Sequence, residues 1–230
     1  MATPKRTAAT MSRHRASSGP GVAPRAPALH HRVVMSPRLL VDPPAWTPLL
    51  LRPALALARR QTGKDPLPGR LLAHFPKGAF GAGMLELCAA DARDLESDDG
   101  ARLLAIARIT ASAVAGCPFC VDMNAATWQR AGLTRDELVA LLARDDAALA
   151  ALALEPRAAL TARYAAALSA TPVSVADDLA TALRQHFSER QLVVLATTIA
   201  QVNFWARFNQ GMGIPAAGFF DDSVCKLPGS

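Results

Sequence analysis

The first 34 residues contain no aspartate or glutamate, against the six cations Lys5, Arg6, Arg13, Arg15, Arg25 and Arg32. That imbalance accounts for the whole formal net charge of +6, because the rest of the chain carries nineteen basic and nineteen acidic side chains. A folded basic face for nucleic acid is therefore not expected. Aromatic residues make up only 5% of the chain, so a core must be built from its many alanines and leucines. No apolar run approaches the ~20 residues of a membrane-spanning helix; the most apolar stretch, residues 192–205, is interrupted by Gln201 and Asn203. Past residue 31 the only histidines are His74 and His186, and the whole chain has four cysteines. A structural zinc site, with its two ligand pairs, does not fit that inventory. No P-loop and no strand-linked glycine fingerprint is present, so no nucleotide, flavin or metal cofactor is expected.

The acid-free start also lacks the apolar segment of a secretory signal. Its Ala/Arg/Ser/Pro composition and missing periodicity predict a disordered basic tail over residues 1–45. A transit peptide shares this composition, and Met35 (or Met11) is the alternative starting point. The expected compartment is the cytoplasm.

From Trp46 onward the chain reads as helices separated by caps, one all-α domain over residues 46–230. Helices are expected over 47–61, with a restart at Pro53, over 68–76 and over 80–95, with Phe75-Pro76-Lys77-Gly78 as a turn. Ser97-Asp98-Asp99-Gly100 is a loop that opens the next helix, which runs to Gly116. Thr134-Arg135-Asp136-Glu137 and Ser188-Glu189-Arg190-Gln191 are capping boxes, in which the first and last side chains satisfy each other's backbone N–H. They open helices to about Leu142 and Asn209, with helices over 156–169 and 174–187 between them. No strand alternation and no fixed-period repeat is seen, so the fold class is all-α, a compact helical bundle.

The chemistry-bearing motif is Cys117-Pro118-Phe119-Cys120. The preceding helix ends in Gly116, and a helical stretch follows to Ala131, closed by Gly132. Glycine suits a helix C-cap and proline a first helical turn, which places Cys117 at a helix start and Cys120 one turn in. Unpaired N–H groups and the helix dipole there favour the thiolate, the reactive form of cysteine. The pair is thus a candidate redox dithiol, and helix-terminus physics favours Cys117 as its more acidic thiol. A disulfide across one helical turn closes almost no loop, so chemical work explains the pair better than stabilisation.

Gly116 through Asn124, together with residues 191–219 around Asn203-Phe204-Trp205-Ala206-Arg207-Phe208-Asn209, resembles the alkylhydroperoxidase D-like, carboxymuconolactone decarboxylase superfamily. The ending Cys225-Lys226-Leu227-Pro228 is similar to the tail of some members. The resemblance implies a thiol-dependent peroxidase with a hydroperoxide substrate, reset by a thioredoxin-like or dihydrolipoyl-type donor. It also implies a homo-oligomer, trimer or hexamer, and favours Cys120 as the attacking thiol. The proton relay of its peroxidase members maps to Ala105 and Asn124, neither of which titrates.

Arg108 and Asp122 are supporting candidates near the pair, although each more often serves as a solvated or ion-paired surface residue. Asn203 and Arg207, on one face at i,i+4, are candidates for a pocket wall or for bonds across the bundle. Phe119, Met123, Trp128 and Trp205 read as core, and His186 as a helix C-terminal cap. The alternatives to a peroxidase are a dithiol–disulfide oxidoreductase or redox-sensing helical oligomer, and a carboxymuconolactone decarboxylase-like lyase.

Overall fold

The computed structural model describes residues 41–152 and 154–220, without the side chains of Leu50 and Gln61. These residues lie within the unit Met35–Ser230. The readings placed on the basic tail before Val41, on the starts at Met11 and Met35, and on Cys225-Lys226-Leu227-Pro228 fall outside the described residues. Ten α-helices and two short 3-10 turns are present among the described residues, and no strand.

The first three helices, α1 (Arg52–Thr62), α2 (Leu67–Leu72) and α3 (Pro76–Leu87), each carry proline in the opening turn. There the missing N–H costs nothing. This corrects the turn expected at Phe75-Pro76-Lys77-Gly78: Pro76 starts α3 instead of breaking a helix. It also corrects the single helix expected over 80–95. The chain leaves α3 at Leu87 and makes a separate 3-10 turn, Ala92–Leu95, capped by the Asp91 and Asp94 side chains.

The bundle is organised around α4 (Gly100–Ala115), which is buried on nearly every side. Leu103, Leu104, Ile106 and Ile109 fill the core, and Ala105, Ala107 and Ala111 let neighbouring helices approach closely. Ala105, where the resembled relay has a carboxylate, is ordinary core packing. α4 ends because Gly116 adopts φ +65°, a left-handed turn natural to glycine. Next comes α5 (Pro118–Ala125), shorter than the sequence suggested; residues 126–132 form successive turns ending at Gly132.

The capping box at Thr134 opens α6 (Arg135–Ala143), followed by a one-and-a-half-turn α7 (Asp146–Ala151) that the sequence pattern does not announce. Asp145 caps α7 by accepting the Ala148 N–H. α8 (Pro156–Ser169) and α9 (Asp177–His186) complete the wall around α4. His186 is the last residue of α9, the position expected for it. The last helix, α10 (Glu189–Gly211), is 23 residues long and opens at the Ser188/Gln191 capping box. It packs on α4 and α8 and reaches α5 with its C-terminal half, where Ala206 joins Cys117, Phe119, Cys120, Leu71 and Ile214 in a second apolar cluster.

Candidate active site at the Cys117–Cys120 pair

The two cysteines sit where α4 hands over to α5. Cys117 is the N-cap of α5, and its Sγ accepts the Cys120 backbone N–H at 3.2 Å. Both are free thiols with essentially no surface exposure, 0% and 1%. Their protonation is split in opposite directions. The hydrogen bond with the Cys120 thiol holds Cys117 below the usual thiol range against the effect of burial, helped by the Cys120 N–H, the Asn209 amide and the Phe119 N–H. Cys120 is pushed far up, by that same bond, by burial and by the charge on Cys117. The first proton to leave the pair therefore comes from Cys117, and the second is held on Cys120. Cys117 is the more acidic thiol, as expected, but its partner contributes more than the bare helix end.

The supporting candidates fall into different places. Asn124, where the resemblance puts one member of the proton relay, donates from Nδ2 to Ser112 Oγ and to the Cys120 carbonyl, both at 2.9 Å. It braces α5 against α4 and offers no proton route. Arg108 is turned away from the sulfurs: its guanidinium donates to the Ala90 carbonyl at 2.6 Å, and burial lowers its pKa while the Glu86 carboxylate opposes that.

Asp122 is not a surface residue. It is 7% exposed and accepts the backbone N–H groups of Ala217 and Gly218 on Oδ2 and of Phe220 on Oδ1, at 2.7, 2.8 and 2.8 Å. It thereby pins the segment after α10 over α5, where the Phe219 ring meets Phe119 edge-on at 5.9 Å. Asn203 and Arg207 brace α10 to the end of α8, bonding Ser169 Oγ at 2.8 Å and Thr171 Oγ1 at 3.2 Å. Neither lines the cavity beside the dithiol.

That cavity has a volume of about 610 Å³ and is walled mostly by α1, α2 and α3. Phe119, Met123, Trp205, Asn209 and Phe219 form its wall toward the dithiol; Phe119 and Trp205 belong to the second apolar cluster as well, whereas Met123 is exposed cavity lining. Of the four side chains read as core, Trp128 alone packs against the main core. Two polar groups here went unnoticed in the sequence. Asn209, 1% exposed, donates from Nδ2 to Cys120 Sγ at 3.5 Å. Glu86 accepts the Trp205 indole N–H and, at 2.7 Å, the Gln201 amide. Asn209 lies 89 residues from Cys120, and Glu86 lies 119 from Trp205, so no local pattern links them. Among the described residues no group of three or more His, Cys, Asp or Glu converges to hold a metal, and no helix is long and apolar enough to cross a membrane.

Comparison with known proteins places this arrangement. No family model matches the chain. The uncharacterised protein YnjA of Escherichia coli strain K12 is 34% identical over 192 residues, covering 82% of this chain and 97% of YnjA. The uncharacterised protein YdfG of Bacillus subtilis strain 168 is 32% identical over 110 residues, 48% of this chain and 73% of YdfG. Among solved structures, the debrominase Bmp8 without ligand superposes with a TM-score of 0.59 at 21% identity, covering 74% of this chain and 88% of Bmp8. A protein of unknown function from Agrobacterium tumefaciens, named as a candidate AhpD antioxidant defence protein, gives 0.52 at 21% identity, over 63% of this chain and 94% of that one.

The chain belongs to the same family as YnjA. It shares the all-helical fold of Bmp8 and of the candidate AhpD protein, with the Cys117–Cys120 pair at the α4–α5 junction.

Proposed function

We propose that the protein is a thiol-dependent oxidoreductase that reduces organic hydroperoxides with the Cys117–Cys120 dithiol. One observation carries the reading: the Cys117 sulfur, the more acidic of the two, accepts the backbone N–H of a second cysteine three residues on, beside an apolar cavity. The Cys117 thiolate takes the place of the absent relay. It accepts the Cys120 proton in the same step in which Cys120, whose Sγ receives the Asn209 N–H, attacks the terminal peroxide oxygen, because transfer ahead of attack would run uphill between these two thiols. The O–O bond breaks, Cys120 becomes a sulfenic acid, and the alkoxide leaves as an alcohol with a proton from solvent. Cys117 then displaces the sulfenic oxygen as water and closes the disulfide. In sum one thiolate, one thiol, one hydroperoxide and one proton give a disulfide, an alcohol and water.

A thioredoxin-like or dihydrolipoyl-type dithiol is the proposed donor that resets the pair by exchange. The protein is further proposed to act as a homo-oligomer, supported by the exposed apolar Phe80, Met84 and Leu87 on α3; sedimentation velocity tests this.

The deciding experiment adds one equivalent of cumene hydroperoxide to reduced, reductant-free protein. Loss of two thiols, with a two-hydrogen mass decrease in the Cys117–Cys120 peptide, is the expected result. In single turnover Cys117→Ser, which loses the proton acceptor as well as the resolving thiol, consumes peroxide more slowly and stops at a sulfenic acid, and Cys120→Ser consumes no peroxide. Thiols that persist for an hour overturn the reading.

A second reading has its own support. A second Bmp8 structure, of a cysteine-to-alanine variant in complex with 2,3,4-tribromopyrrole, superposes with a TM-score of 0.57 at 19% identity, over 71% of this chain and 83% of Bmp8. A dithiol supplies the two electrons that replacement of carbon–bromine by carbon–hydrogen requires, releasing bromide and leaving a disulfide. Bromide release from a brominated pyrrole by the reduced protein, with thiols inert to cumene hydroperoxide, selects this reading.

A further inference from the structure

The amide of Asn209 is used at one end only. Its Nδ2 is committed to Cys120 Sγ at 3.5 Å, while its Oδ1 is buried and has no hydrogen-bond partner among the described residues. A buried acceptor left empty is costly, and native structures rarely keep one without a use. Asn209 is also part of the wall of the 610 Å³ cavity, a volume suited to a bulky organic molecule. The rest of that wall constrains the occupant. Its lining is mainly alkyl and aromatic, and its charged members are Asp65, ion-paired with Arg70 at 2.7 Å, and the carboxylate of Glu86. Glu86 would repel an anionic ligand, and a small polar one would leave the apolar wall wet.

We infer that Asn209 is a substrate-contacting specificity residue: its Oδ1, covered in this structure, is uncovered by a small side-chain shift as ligand enters and accepts a hydrogen bond from the O–H of an uncharged, bulky organic ligand whose apolar body fills the α1–α3 cavity. One amide then joins the two reacting partners, holding the ligand's head by oxygen and the Cys120 sulfur by nitrogen. The head group being a hydroperoxide rests on the peroxidase reading; the demand for an O–H donor on an uncharged apolar body does not. Hydrogen peroxide satisfies the amide but leaves the cavity unfilled. A fatty-acid hydroperoxide with a free carboxylate fills it but brings its charge toward Glu86.

The test uses unreactive probes and needs no turnover. Binding of 2-phenyl-2-propanol, the alcohol corresponding to cumene hydroperoxide, is compared with that of its methyl ether, which keeps the body and loses the donor. Trp205, in the cavity wall, reports binding by fluorescence, with calorimetry as a second readout. The full-length reduced protein is expected to bind the alcohol at least about fivefold more tightly than the ether. Asn209→Leu removes that preference while retaining ether binding, and Asn209→Asp, which keeps an acceptor, retains a preference for the alcohol. Equal affinity for alcohol and ether in the unaltered protein overturns the inference without any variant, as does a preference that survives in folded Asn209→Leu. Normal peroxide turnover with equal probe affinities would refute the inference and spare the peroxidase reading. Asn209-dependent alcohol binding with peroxide-inert thiols would do the reverse.

Discussion

Replacing Asp122 by asparagine isolates what a buried carboxylate does two residues beyond the dithiol. The native side chain takes three backbone N–H groups, two on Oδ2 and one on Oδ1, at 2.7–2.8 Å. Asparagine has one acceptor oxygen. Its best arrangement keeps that oxygen on Ala217 and Gly218 and turns the NH2 group toward the Phe220 N–H, so two donors face each other. One charge-assisted bond is lost and the others weaken, which costs about 2–3 kcal/mol. The loss falls on the attachment of the segment after α10, because α5 and the core around α4 keep their own contacts. Local opening of residues 217–220 then becomes about 30- to 140-fold more frequent, taking 1.4 kcal/mol per factor of ten. Hydrogen exchange of the Ala217, Gly218 and Phe220 amides measures it, with helix content by circular dichroism unchanged. The Phe219–Phe119 edge contact loosens with the segment. Exchange at these amides equal to that of the unaltered protein would refute the reasoning.

Other outcomes rest on the same geometry. With Cys88 and Cys225 replaced by serine, thiolate absorbance at 240 nm should show one group ionising below the usual ~8.5, abolished in Cys117→Ser; a first ionisation that persists in that variant would contradict the assignment to Cys117. Gly116→Ala meets no atom within 4 Å but must hold φ +65°, so it should cost about 1–2 kcal/mol by denaturant titration. Burial raises the Glu137 pKa, but the Arg102 and Thr134 hydrogen bonds outweigh it and hold the carboxyl below its ordinary value. The ionised form therefore stabilises the fold above its unfolded value of ~4.3, and that contribution disappears as pH falls through the folded value. Glu137→Gln should lose about 1.5–3 kcal/mol at pH 7 and progressively less in acid; a difference constant down to pH 2 would sink the argument.

Much of the helix layout was legible because it is written in local chemistry. The boxes at Thr134/Glu137 and Ser188/Gln191 open α6 and α10 as read, and Gly116 with Pro118 just beyond it places Cys117 at a helix start. Pro76 misled because proline serves equally to break a helix and to begin one, and only the packing of the downstream residues decides between the two. Of the site, the sulfur pair was visible as a motif, but its surroundings were not. Asp122 reads as a surface acid until the returning chain brings three N–H groups to it. Asn209 and Glu86 reach the cavity from helices near opposite ends of the described chain. Asn203 and Arg207, more conspicuous in the sequence, serve the opposite side of α10.

The α1–α3 segment contributes most of the cavity wall, whereas the sulfurs and the groups that bond them lie between residues 112 and 220. The chain thus separates a chamber from a reactive face along its length. Changes at the lining residues of α1 and α3 can resize or recolour the chamber without touching a group that bonds the sulfurs, whereas Leu71 of α2 packs against the pair itself.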